Sequence, residues 1–141
     1  MSAEQASEAM ATVLVYSDDR TVREQIRLAL GASVAADPPA VRAVECATPR
    51  AVVRAMDAGG IDVAVLDGEA VPAGGMGICR QLKDEIAHCP PVLILVGRLD
   101  DAWLATWSRA DAVVAHPVDP VRLPDAVAGL LRRRLQIPAR S

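Results

Sequence analysis

Ile61-Asp62-Val63-Ala64-Val65-Leu66-Asp67-Gly68-Glu69 is a short apolar run that ends on an acid, a glycine and a second acid. It is too short for a helix and rich in β-branched residues, so Ile61–Leu66 is predicted to be a strand. Its apolar residues are nearly continuous rather than alternating, which predicts a strand covered on both faces. The covering layers are legible on either side. Upstream, Thr48-Pro49 offers an N-cap followed by a first-turn proline, and Gly59-Gly60 ends that helix. Downstream, Met76 to Ala87 reads as a helix stopped before Pro90-Pro91.

The same grammar extends in both directions. Thr12–Tyr16, Val41–Cys46, Val92–Val96 and Ala112–Ala115 are four further strand-like runs. Thr21-x-x-Glu24 reads as a capping box opening a helix that Gly31 closes. A short fourth helix is expected from Asp100-Asp101 to about Arg109. A fifth is expected from about Pro124 to Gln136, because Pro124 would interrupt a helix begun at Asp119-Pro120. Strand and helix thus alternate five times. The fold class is α/β: a doubly wound, parallel five-stranded sheet in three layers, α/β/α. Sites in such folds lie at the carboxyl ends of the strands. That selects Ser17-Asp18-Asp19-Arg20, Asp67-Gly68-Glu69 and His116-Pro117.

The chain has 141 residues, 52% hydrophobic and 23% charged, which suits one globular domain with a core of its own. The domain is expected to span 11–136, with loose tails at 1–10 and 137–141. A net charge of −3 argues against nucleic-acid binding. No apolar run approaches membrane-spanning length and no signal-peptide pattern is present, so a cytoplasmic location is expected. Cys46, Cys79 and Cys89 are odd in number and irregularly spaced, so they read as buried or idle thiols rather than as disulfides or metal ligands. Gly74-Gly75-Met76-Gly77 follows no strand directly and is not a nucleotide fingerprint. With no G-x-S-x-G and no nucleophile–base pair, the expectation is a chain that is not an enzyme.

Taken in order, these pieces resemble the receiver domain of the two-component response regulators, a CheY-like, flavodoxin-like fold, from about Ala11 to Arg134. Val13-Leu14-Val15-Tyr16-Ser17-Asp18-Asp19 resembles its first strand and acidic loop, with Arg23 five residues beyond Asp18. Asp62 to Asp67 resembles the strand that ends in the phosphorylated aspartate. Gly75-Met76-Gly77, Pro91 to Leu95 and Ala110 to Pro117 resemble the opening of the third helix and the last two strands.

The resemblance implies a phosphoacceptor at Asp67 and a weak magnesium site from Asp18, Asp67 and the Glu69 backbone carbonyl, with no cofactor required. It also marks departures. Ser17 stands where the family has the first of two acids, Val96 where it has threonine or serine, and His116 where it has lysine. Val113 stands at the aromatic switch position. Losing two hydrogen bonds to a charged group removes roughly 3–6 kcal/mol of differential contact. A two-state switch needs about 5.5 kcal/mol. The expectation is therefore an atypical receiver that works by protein–protein binding. Trp103 and Trp107 share one face of the short helix as candidate anchors. Arg132, Arg133 and Arg134 form a basic patch suited to an acidic partner. The sequence is similar to stand-alone actinobacterial receivers without an output domain. That likeness implies a respiratory partner, the NADH:quinone oxidoreductase, reached peripherally at the inner face of the membrane. The alternative is a phosphorelay receiver acted on by a histidine kinase at Asp67.

Overall fold

Residues in a strand alternate between faces, and the two faces here bury different side chains. In a computed structural model, which describes residues 10–36, 38–70, 74–97 and 108–135, five parallel strands form one sheet in the order β2-β1-β3-β4-β5. They are β1 (Ala11–Tyr16), β2 (Val41–Cys46), β3 (Val63–Asp67), β4 (Val92–Val96) and β5 (Ala112–Ala115). The four described helices are α1 (Arg20–Leu30), α2 (Pro49–Ala58), α3 (Gly75–Glu85) and α4 (Arg122–Leu135). Val13, Val15, Val65, Leu93, Leu95 and Val114 pack with Ile26 and Leu30 of α1 and with Leu123, Val127 and Leu131 of α4. Leu14, Tyr16, Leu66, Ile94 and Val96 pack on the other face, with Val52 and Met56 of α2 and Ile78, Cys79 and Leu82 of α3. The doubly wound, three-layer expectation holds. The order of strands reverses between β1 and β3, which puts the switch point at their carboxyl ends.

Several boundaries differ from expectation for local reasons. The capping box at Thr21 and Glu24 does not form. Asp19 is the N-cap of α1, its Oδ1 accepting from the Thr21 N–H at 2.8 Å, so Thr21 already lies inside the helix. Thr48 does cap α2, accepting from the Ala51 N–H at 3.1 Å, with Pro49 in the first turn. β3 begins at Val63 and runs through Asp67, two residues later than Ile61. Asp62 is occupied instead by two contacts to Thr12: its N–H donates to the Thr12 carbonyl, and its Oδ2 accepts the Thr12 N–H, both at 2.8 Å. α3 ends at Glu85, two residues before Ala87, because Ile86 turns to extended backbone.

Pro124 does not delay α4. Asp119 caps the preceding turn, with Oδ1 accepting from Val121 and Arg122 at 2.7 and 2.9 Å and its carbonyl accepting from Leu123. Pro120 follows that cap, where a missing N–H costs nothing. Pro124 then falls inside the first turns of a helix that Leu123, Val127 and Leu131 anchor to the core. Of the short helix expected over Asp100 to Arg109, only Ser108 and Arg109 are described, and they form a turn. Trp103 and Trp107 lie outside the described residues.

Candidate functional site

In-register parallel pairing places Tyr16 beside Leu66, so the next residue of each strand, Ser17 and Asp67, meet at the switch point. Ser17 is fully buried, and its hydroxyl donates to Asp67 Oδ2 at 2.8 Å. Ser17 Oγ in turn accepts the Asp19 N–H at 3.0 Å, which ties the turn into α1 to the Asp67 carboxylate through the serine. Arg23, one turn into α1, donates from Nη1 to the Ser17 carbonyl at 2.7 Å and pairs with Glu45 at the end of β2.

Asp67 is 3% exposed, yet its charge is well provided for. Oδ1 accepts the Glu69 N–H at 2.9 Å. His116 Nε2 lies 2.9 Å from the same oxygen, and facing a carboxylate it carries the ring proton. His116 is placed by the β5 ladder, since its N–H donates to the Val96 carbonyl at 2.8 Å; the peptide to Pro117 is cis. Glu69 is exposed and turns its carboxylate to the end of β4, where Oε1 accepts the Gly97 N–H at 2.9 Å. Asp18, Asp19, Val22, Asp67, Glu69, Gly97 and His116 line one open cleft of about 390 Å³. Burial raises the Tyr16 phenol above its usual value, and the carboxylates of Asp18 and Asp67 push it the same way.

The sequence-selected residues are thus sorted by the fold. Asp18, Asp67, Glu69 and His116 converge on the cleft. Ser17 lies beneath it as a neutral support for Asp67 and is not one of its lining residues. Val96 is fully buried and Val113 partly so, both on the α2–α3 side of the sheet rather than in the cleft. Arg132 is half-buried and Arg134 exposed, while the side chain of Arg133 is 66% exposed and stands 3.8 Å from Asp111. Asp111 also pairs with Lys83 at 2.7 Å and accepts the Val92 N–H. This patch lies at the amino ends of β4 and β5, across the molecule from the cleft. Asp19 and Glu69 lie in the strand-end loops that the sequence selected, but sequence reasoning assigns no role to the Glu69 side chain and does not single out Gly97, which also lines the cleft.

The oxygen-only donors of Asp18, Asp67 and the Glu69 carbonyl suit a hard cation such as magnesium, which keeps several waters. One lone-pair direction remains on Asp67 Oδ2 beyond its bond to Ser17. Among the described residues, no group of three or more His, Cys, Asp or Glu side chains converges as a metal cage.

This arrangement has relatives. A response regulatory protein of Mycobacterium tuberculosis is 58% identical over 120 residues, covering 85% of this chain and 90% of its own. The transcriptional regulatory protein CseB of Streptomyces coelicolor is 32% identical over 126 residues, 86% of this chain and 49% of its own. Among solved structures, a response-regulator receiver domain from Clostridium thermocellum superposes with a TM-score of 0.73 at 25% identity, over 91% of this chain and 99% of that one. The chemotaxis regulator CheY4 of Vibrio cholerae gives 0.74 at 17% identity, over 86% and 99%. No family model matches the chain. The chain belongs to the response-regulator family, and its fold is that of the receiver domain.

Proposed function

We propose that this receiver is atypical: a protein-binding module whose Asp67 site relays an added phosphoryl group weakly to the rest of the molecule. One observation carries the reading. At the end of β4, where a hydroxyl would grasp a phosphoryl oxygen, the side chain is Val96, fully buried in apolar surroundings with no donor to offer. His116 reaches Asp67, so the position that holds a lysine in the family still supplies one contact here. The deficit is therefore about one charge-assisted bond, roughly 1.5–3 kcal/mol. That is a large part of the ~5.5 kcal/mol that separates a 1:99 from a 99:1 equilibrium. Val113 adds to it, since its small side chain replaces an aromatic one at the switch position.

Asp18, Asp67 and the Glu69 carbonyl are the residues that would hold magnesium. When bound, the ion would neutralise charge as a phosphoryl group approaches Asp67. Asp67 is held with its carboxylate in place by Ser17, Glu69 and His116, and Ser17 adds no second charge beside it.

Incubation with acetyl phosphate and magnesium tests the reading by amide chemical shifts. Shifts confined to Asp18, Asp67–Glu69 and His116 are expected. Large shifts along β5 and α4 would overturn it.

The competing reading is a phosphorelay receiver that a histidine kinase phosphorylates on Asp67. The convergence of Asp18, Asp67 and His116 favours it. A phosphate-affinity gel of the parent and Asp67→Asn, after incubation with a kinase, separates the two: a retarded parent band together with far-face shifts selects the phosphorelay.

For a partner, the exposed Arg133 and Arg134 support an acidic protein surface, with half-buried Arg132 at its edge and Trp103 and Trp107 as further candidate contacts. The likeness to actinobacterial receivers extends this proposal to the peripheral arm of the NADH:quinone oxidoreductase. Contact would be peripheral, since no helix among the described residues is long and apolar enough to cross a membrane. Pull-down from solubilised membranes with mass spectrometry tests this. Recovery of the oxidoreductase subunits supports it, and recovery of the chain only in the free fraction counts against it.

A further inference from the structure

An anion approaching Asp67 meets donors as well as the acids. Among the described residues, three donors face the cleft, from the ends of three strands. The Glu69 N–H and His116 Nε2 are both engaged by Asp67 Oδ1, itself almost fully buried. The third, the Gly97 N–H, is engaged by the Glu69 carboxylate at 2.9 Å. Unlike the buried Asp67, the Glu69 side chain is exposed and rotatable.

Gly97 suits this contact. A Cβ built there would lie 2.3 Å from Glu69 Oε1 and 2.8 Å from its carboxyl carbon. Gly97 is not among the residues with positive φ, so the backbone itself does not demand glycine. What the missing side chain permits is the approach of the carboxylate to the N–H.

We infer that Glu69 is a tethered anion: its carboxylate occupies the Gly97 N–H, the exchangeable donor of the cleft, and an incoming phosphoryl-like anion must displace it. Glu69 thereby sets the anion affinity of the Asp67 site and joins the loop after β3 to the end of β4 in the resting state. This rests on the reading of Asp67 as the anion-accepting residue.

Beryllofluoride titrated in the presence of magnesium, followed by fluorine NMR, measures that affinity. Glu69→Ala and Gly97→Ala are each expected to bind about tenfold more tightly than the parent. Gly97→Ala is the decisive variant, because it keeps every charge of the cleft and removes only the contact. The double variant is expected to bind no more tightly than the better single one, since both changes break one interaction. Equal affinity of the parent and Gly97→Ala overturns the inference, because any gain in Glu69→Ala is then bulk charge alone. Absence of an adduct in all four proteins overturns it as well. The Gly97 amide proton gives a check independent of anion binding. It is expected downfield in the parent and upfield in Glu69→Ala, and an unmoved resonance refutes the contact. Failure of the binding-module reading is visible separately, as amide shifts spreading along β5 and α4 in the same titration.

Discussion

Ser17 does more at this site than withhold a charge. Its fully buried hydroxyl supports Asp67 Oδ2 and accepts from Asp19, so the strand-one turn and the phosphoacceptor candidate share one atom. An aspartate there would set two carboxylates about 3 Å apart in a buried place, where like charges raise one pKa strongly. Ser17→Asp is expected to lower stability by about 2–4 kcal/mol in the absence of divalent cations. Millimolar magnesium should restore part of the loss. Urea unfolding with and without the ion measures both, and a variant as stable as the parent without the ion refutes this view of the pocket. Val96 poses the opposite problem. Its surroundings are apolar, so Val96→Thr buries a hydroxyl and is expected to cost about 1–3 kcal/mol in the same measurement.

At the scale of elements, the ends of the helices decide how the strand-end loops are aimed. Asp19 serves α1 as its cap while also lining the cleft, so one loop both starts a helix and supplies an acid to the site. Asp19→Ala is expected to cost about 1 kcal/mol, and Thr21→Ala much less, since the Thr21 hydroxyl is not the cap. Thermal melts of the pair distinguish the two caps, and a larger loss for Thr21→Ala would reinstate the capping box. At the far end of the sheet, Lys83 of α3 and Arg133 of α4 meet on Asp111, just before β5. The chain's only lysine is therefore committed to holding α3 against the β4–β5 edge. Lys83→Met leaves a partly buried carboxylate with its Val92 N–H and a distant Arg133. It is expected to destabilise by roughly 1–3 kcal/mol, read from urea midpoints.

Over the whole molecule, among the described residues, the sheet separates two apolar clusters, with an acidic cleft at its carboxyl end and ion pairs at the amino ends of β4 and β5. Acids line the cleft at the carboxyl ends, while Lys83, Arg109 and Arg133 surround the amino ends of β4 and β5. The deepest thiol reports on the integrity of the core between them. Cys79 is fully buried, donates to the Ser108 carbonyl at 3.2 Å, and burial pushes its pKa up to about 11 against an ordinary 9.0. A thiol whose pKa is raised by folding stabilises the fold fully below the unfolded value. That contribution is lost as pH climbs from 9 towards 11. The loss is about 3 kcal/mol for a shift of this size. Burial also raises Cys46, Cys89 and Tyr16, with the same sign. Urea unfolding from pH 8 to 11 should show stability falling through this window, with a shallower slope in Cys79→Ala. An unchanged slope would place the effect elsewhere.

The strands, their covered faces, the parallel order and the acids at the strand ends were legible in the sequence, because burial and capping leave local marks. A nearly continuous run such as Val63–Leu66 cannot sit on a half-exposed sheet, and Thr48-Pro49 announces a helix start within a few residues, whereas the helix after Asp119-Pro120 starts at Arg122 and not at the expected Pro124. Whether Asp19 or Thr21 would be the cap was a competition between two nearby oxygens, which the direction of the chain leaving Ser17 settled. The partners of the site were not legible. Ser17 meets Asp67 only because β1 and β3 pair in one register, Glu69 meets Gly97 only because β4 lies next to β3, and His116 reaches Asp67 from a strand two places away. Contacts between residues 28 to 50 positions apart are set by the packing of the whole sheet, and no local pattern encodes them.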